Sequence, residues 1–220
     1  MMKSMVQATA ERLVLDQISI SLHGRELVGV SAAVEPGDVL TVMGPSGSGK
    51  STLLHALAGS LAPVFNLSGH ARIGSVDMLA LPAEARRMGL LFQDPLLFPH
   101  LSVCGNLMLA IPRDRGQLRD HRQDMAEQAL AAIGLKGFGA RDPATLSGGQ
   151  AARVALQRTL LSQPRALLLD EPFSKLDVAL RSDMRSLVFE HAKARRLPVL
   201  LVTHDPEDAD AAGGQVFRLD

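Results

Sequence analysis

Residues 44–51 read Gly44-Pro45-Ser46-Gly47-Ser48-Gly49-Lys50-Ser51, a glycine-rich loop that closes on lysine and serine. This is the P-loop pattern. It follows the apolar run Val39–Met43, which reads as a strand. It precedes Lys50–Ala58, where Leu53, Leu54 and Leu57 fall on one helical face and Gly59 supplies a stop. Strand, loop and helix in that order form a phosphate cradle. The glycines let the backbone turn tightly and aim several N–H groups inward. The helix N-terminus adds about half a positive charge. Lys50 supplies a full charge for the β- and γ-phosphates, the Ser51 hydroxyl suits Mg²⁺, and Thr52 completes the phosphate-binding segment. Kinases, GTPases and motor ATPases share this loop, so it fixes only a superfamily.

The rest of the chain is organised as such a loop demands. Alternating apolar residues at 13–15 and 18–20 read as strand, and Glu35-Pro36-Gly37-Asp38 as a turn. Residues 88–92, Ala166–Asp170 and Val199–Thr203 are short apolar strands, and 216–219 reads as a last edge strand. Helices are expected over 125–133, over 147–162 with Ser147 as N-cap, and over 177–196. Residues 112–122 read as a polar, solvated linker. Apolar strands alternating with helices predict an α/β fold, a P-loop NTPase (RecA-like) core with a mostly parallel sheet. An antiparallel β portion is expected at the N-terminus. The helical middle reads as an inserted subdomain, residues 94–162, with the core built from 1–93 and 163–220 of one domain.

Composition excludes several classes. The 23 basic and 23 acidic residues cancel, which removes a global electrostatic case for nucleic acid. Cys104 is the one cysteine, so no intramolecular disulfide forms, and it reads as a small, partly buried filler. Residues 1–12 hold no leader-like apolar run, and no apolar stretch approaches the roughly 18 residues of a membrane span. Membrane association is therefore expected through a partner.

Ala166–Asp170 ends in two acids. Asp170 at the strand tip suits the water shell of Mg²⁺, and Glu171 can orient the attacking water or take its proton.

Leu146-Ser147-Gly148-Gly149-Gln150 narrows the family. Ser147 caps a helix, and the glycines leave N–H groups open to a phosphate. Here the chain resembles the ABC (ATP-binding cassette) ATPases. The resemblance implies that Ser147, Gly148, Gly149 and Gln150 face the γ-phosphate held by a second copy, in a head-to-tail dimer with two ATP molecules between. Phe92-Gln93-Asp94-Pro95 resembles the family's Q-loop, with Gln93 touching Mg²⁺ or the water; alone it would read equally well as a polar strand terminus. Ser174-Lys175-Leu176-Asp177 resembles the D-loop. His204 in Val202-Thr203-His204-Asp205 resembles the histidine that contacts the γ-phosphate.

Two positions depart from the family pattern. There is no Tyr or Trp, and His23 or Leu22 stands where an adenine-stacking ring is usual. Ala151-Ala152 replaces a pair of glutamines common after the signature.

The runs from Gly89 to Val103 and from Asp170 to Arg181 are similar to importer ATPases of the thiamine, iron and polyamine type, and to the short YnjD-like branch. The resemblance implies an ATP- and Mg²⁺-dependent ATPase on the cytoplasmic face of the cell membrane, with separate transmembrane permease subunits and a solute-binding protein. Nucleic acid is not expected as a partner. The alternative is a soluble, non-transport ABC ATPase of the DNA-repair or translation type. Residues 96–101 read as lining a groove for the permease or as helical-subdomain core.

Overall fold

The computed structural model describes residues 11–113 and 119–219. Strands β1 (Leu13–Leu22) and β2 (Arg25–Val34) form a hairpin closed by His23 and Gly24, both with positive φ. That is the backbone a two-residue turn needs to match strand twist. The apolar pairs at 13–15 and 18–20 belong to one strand. A register shift between Leu15 and Ile18 inserts a bulge at Asp16 and Gln17, and Gln17 has φ 48°. The bulge corrects the alternation by one residue, so Leu13, Leu15, Ile18 and Ile20 all point inward.

β3 (Val39–Met43) leads through the glycine-rich loop into α1 (Lys50–Ala58), as expected. β4 (Phe65–Ile73) and β5 (Val76–Asp77) complete an antiparallel sheet of order β2-β1-β4-β5. α2 (Ala83–Arg86) ends in Arg86, whose buried guanidinium donates to the carbonyls of Ala56 and Leu57 at the end of α1.

A second, parallel sheet has the order β6-β7-β8-β3-β9, from β6 (Met88–Leu91), β7 (Ala166–Asp170), β8 (Val199–Thr203) and β9 (Gln215–Arg218). The expected last strand is β9, displaced by one residue. β7 and β8 are apolar up to their last residues, Asp170 and Thr203, because both faces are covered. Leu168, Leu200 and Val202 enter the core shared with α1 and the antiparallel sheet. Leu167, Leu169, Val199 and Leu201 pack on the opposite face with Met184 and Val188 of α6 (Val178–Ala194).

Between β6 and β7 lies the helical insertion: α3 (Val103–Ala110), α4 (Arg119–Ala132) and α5 (Gly148–Leu161). Val103, Leu107, Ile111, Ala126, Leu130 and Val154 form its core, with Cys104 buried among them as a filler. α5 joins this unit to the sheet, since its Ala155, Leu156 and Leu160 pack in the core under β7. α3 is not foreseen by apolar spacing; Ser102 starts it by accepting from the Gly105 N–H. The linker expected over 112–122 is corrected at its end. Residues 119–122 are helical, and Arg122 anchors that turn by donating to the Met108 carbonyl. Residues 114–118 of that linker lie outside the described residues. α7 (Pro206–Ala212) follows β8.

Candidate active site

The parallel register brings four strand ends to one edge. Met43 pairs with Thr203, Asp170 with Val202 and Leu91 with Leu169. The residues that follow β3, β8, β7 and β6 are therefore neighbours: Gly44, His204, Glu171 and Phe92. Ligands of open α/β sheets bind outside such carboxyl ends. A cavity of about 530 Å³ opens there, lined by the loop at 46–52, by Phe92, Gln93 and Asp94, and by Asp170 and Glu171.

The cradle side is glycine for two reasons. Gly49 has φ 89°, and a Cβ there would sit 2.5 Å from Val28 Cγ2 of β2. No side chain caps α1 and no acid occupies its first turn, so its N-terminal N–H groups face the cavity's anion end. Lys50 is buried, and its Nζ donates to the carbonyls of Gly44 at 2.9 Å and Pro45 at 2.8 Å. The ammonium thus lies along the loop it is expected to serve.

Across the cavity Ser51 Oγ donates to Asp170 Oδ1 at 2.9 Å. Burial pushes the Asp170 carboxyl above its usual range, and the neighbouring Glu171 charge adds to that; the Ser51 hydrogen bond pulls the other way without cancelling it. Glu171 has a left-handed backbone, φ 46°, uncommon for a residue with a Cβ. Its N–H donates to Val202 O at 2.9 Å, and its carbonyl accepts from Ser174 Oγ at 2.9 Å. His204 Nδ1 lies 3.1 Å from Glu171 Oε1. Two residues expected to share the chemistry are in contact within one chain.

Gln93 is exposed on the cavity wall. Its neighbour Asp94 is ion-paired with Lys175 at 2.6 Å, which joins the 92–95 and 174–177 segments. Leu22 and His23, the expected adenine platform, are not among the cavity's lining residues. They sit at the hairpin tip, two residues beyond the Ile20–Val28 pair whose Val28 touches Gly49.

Ser147 is the N-cap of α5 as expected, and Gln150 completes a reciprocal capping box: Ser147 Oγ accepts from Gln150 N, and Gln150 Oε1 from Ser147 N. Serine followed three residues later by glutamine is that signal in sequence. The two glycines differ. Gly148 faces open space, whereas a Cβ on Gly149 would lie 2.1 Å from Leu180 Cδ2 of α6. None of residues 147–150 lines the cavity.

The stretch at 96–101 is divided between core and surface. Leu97 packs into the cores, while Leu96 and Phe98 are exposed. Motif reading misses the residues that hold this loop and the His204 turn: Asn106 and Arg158 for the first, Arg181, Arg185 and Asp208 for the second. The arginines at 181 and 185 share a helical face by spacing, the available clue.

The ABC transporter family profile matches residues 27–174, two thirds of the chain. The chain belongs to the ABC transporter family. It is an ATP-binding and ATP-hydrolysing cassette. It is 48% identical over 201 residues to an uncharacterized ABC transporter ATP-binding protein, YnjD of Escherichia coli (strain K12), covering 90% of this cassette and 91% of that protein. It is 41% identical over 188 residues to the Fe(3+) ions import ATP-binding protein FbpC 1 of Rhizobium meliloti (strain 1021), covering 86% of the cassette but 52% of that longer relative. The fold matches a dimeric, post-hydrolysis structure of the ATP-binding cassette MJ0796 bound to ADP and Pi, with TM-score 0.78, 28% identity and 94% of each chain covered. No helix among the described residues is long and apolar enough to cross a membrane.

Proposed function

We propose that this cassette energises a bacterial solute importer by closing head to tail on a second copy around two ATP molecules. Separate transmembrane permease subunits would hold it at the cytoplasmic face of the membrane, with a solute-binding protein delivering cargo. The observation that carries the reading is the separation of the two phosphate-directed helix starts. Lys50, Ser51, Asp170, Glu171 and His204 converge at one sheet edge, while Ser147 and Gly148 stand exposed and off the cavity. No partner for the Gly148 N–H occurs among the described residues. A helix start of this kind suits a phosphate presented by another chain.

In this reading the loop at 44–52 cradles the triphosphate, and Lys50 exchanges its two carbonyls for the β- and γ-phosphate oxygens. Glu171 orients water and takes its proton as the water attacks the γ-phosphorus. The bond from that phosphorus to the β-phosphate oxygen breaks, giving ADP and inorganic phosphate. His204 contacts the γ-phosphate while it supports Glu171. The oxygen donors fit a hard divalent cation: the Ser51 hydroxyl and a half-buried carboxylate that gains from positive charge meet at 2.9 Å. Ser51, Asp170 and Gln93 would hold Mg²⁺, which neutralises phosphate charge when bound. Positioning and charge stabilisation do the remaining work.

Glu171→Gln tests the chemistry. ATP binding should persist and ATP should now hold the dimer closed, while turnover falls by about 10²- to 10⁴-fold. Unchanged turnover would remove Glu171 from its role. Purification of the tagged cassette from detergent-solubilised membranes tests the importer. A stoichiometric multi-span protein is expected; recovery of soluble partners or nucleic acid alone would leave an ABC ATPase without a transporter.

A further inference from the structure

His204 leaves the end of β8 with a side chain 58% exposed, and among the described residues its hydrogen-bond or ion-pair partner is Glu171 alone. An exposed imidazole with one partner keeps its place only as well as its backbone does. That backbone is tied on both sides. Thr203 Oγ1 donates to Asp208 Oδ2 at 2.8 Å and accepts from the Asp205 N–H at 3.0 Å. One hydroxyl therefore links both neighbours of His204 to the first turn of α7. Asp208 is buried, and its Oδ1 accepts from Arg185 Nε at 2.7 Å and Nη2 at 2.5 Å. Arg185 Nη2 also reaches Asp205 Oδ2 at 3.4 Å, an oxygen that Arg181 Nη1 meets at 2.9 Å. Arg181 Nη2 in turn donates to the Leu176 carbonyl at 3.2 Å, inside the segment 174–177. The arginine links to Asp205 and Asp208 cross from α6 to the turn that carries His204 and the first turn of α7.

We propose that Thr203, Asp208 and Arg185 are positioning residues for ATP hydrolysis, a buried brace that fixes the turn at 203–205 and so holds His204 against Glu171. The brace acts on turnover through His204 and touches no nucleotide. The proposal rests on Glu171 and His204 working together in hydrolysis. Its physical basis is that buried, satisfied polar networks hold one geometry, because each group loses its partner if the geometry shifts. β8 alone does not supply this, since its hydrogen-bonded register ends at Thr203.

The test uses the full 220-residue chain. Thr203→Val keeps the β-branched shape inside β8 and deletes the hydroxyl; Thr203→Ser keeps the hydroxyl. Steady-state ATPase should show kcat reduced about ten- to a hundredfold in Thr203→Val, with KM for ATP within about twofold and recovery in Thr203→Ser. In a His204→Ala background, adding Thr203→Val should cost nothing further, because coupled residues are non-additive. Arg185→Lys, which keeps the charge and loses the fork, carries the same comparison if Thr203→Val does not fold. Thr203→Val turnover within about twofold of wild type would overturn the brace. So would losses that multiply with His204→Ala, or a joint fall of kcat and ATP affinity that serine does not restore. A wild-type chain that hydrolyses no ATP would sink the hydrolytic pair and the brace with it; the other outcomes, with an active wild type, sink the brace alone.

Discussion

Ser51 Oγ and Asp170 Oδ1 are hydrogen-bonded at 2.9 Å, joining the first turn of α1 to the tip of β7 across 119 positions of sequence. The bond closes the cavity's acid side, and it leaves a half-buried carboxylate with a hydroxyl as its partner where a cation is better. Burial therefore raises the Asp170 pKa above 3.8. A raised acid binds its proton more tightly folded than unfolded, so its ionised form weakens the fold, and that penalty grows as pH rises through the raised pKa. Asp170→Asn should accordingly raise the melting temperature of the nucleotide-free chain at neutral pH. The gain should shrink as pH falls and vanish below 3.8, where the carboxyl at position 170 is protonated in both the folded and the unfolded chain. The same substitution should abolish the Mg²⁺ dependence of nucleotide binding. Thermal melts across pH, with and without Mg²⁺, check both; equal melting temperatures at neutral pH would contradict the desolvation argument.

Gly47 and Gly49 separate conformational strain from crowding. Both have left-handed backbones, φ 85° and φ 89°, but Gly47 opens to free space whereas Gly49 abuts Val28. Gly47→Ala should cost about 1 kcal/mol, the backbone penalty alone. Gly49→Ala adds an overlap with β2, bringing the loss to roughly 2–4 kcal/mol. Urea denaturation of the two variants reads the difference, and equal costs would mean that Val28 yields freely.

Ser147 and Gln150 cap α5 reciprocally. Ser147→Ala should therefore destabilise the isolated cassette by about 1 kcal/mol, apart from any effect at a dimer interface. Gln150→Ala removes only the bond to the Ser147 N–H and should cost less. If Ser147 also meets the γ-phosphate of a second copy, Ser147→Ala should weaken ATP-dependent dimerisation far more than Gln150→Ala, beyond what the stability difference explains. Light scattering with ATP, in a Glu171→Gln background, measures this.

What could be read from sequence divides along physical lines. β3, β7 and β8 are buried on both faces, so continuous apolar runs announce them. The glycine-rich loop and the acids at 170 and 171 depend on residue types that little else requires together. β1 reads as two fragments because a bulge resets its alternation, and the signal for one strand is the change of phase between Leu15 and Ile18. The start of α4 is polar all round, so no apolar stripe marks it; the bond from Arg122 to Met108 is tertiary. Gly149 reads as a phosphate contact and also abuts Leu180, 31 residues away, a demand that only packing reveals. The brace behind His204 spans three elements, and Asp208 and Arg185 look like ordinary surface charges and Thr203 like a strand end until the helix and the turn are brought together.

Asn106 sets the loop that follows Gln93. It is fully buried on α3; its Oδ1 accepts from the Phe98 N–H at 2.8 Å, and its Nδ2 donates to the carbonyls of Phe98 at 3.1 Å and Ser102 at 3.0 Å. Arg158 of α5 donates to the carbonyls of Leu96 and Pro95 from beneath. Together they hold Leu96 and Phe98 outward, apolar side chains that packing alone would draw in. Asn106→Leu keeps the branched outline but leaves the Phe98 N–H and several carbonyls unpaired in the interior. It should cost roughly 2–3 kcal/mol and expose residues 95–102 to proteolysis. Stimulation of turnover by permease subunits should fall if Leu96 and Phe98 are the surface those subunits grip. Limited proteolysis and ATPase assays with and without the co-purified membrane partner check these effects. Stimulation that survives while the loop is cleaved would move the permease contact elsewhere on the cassette.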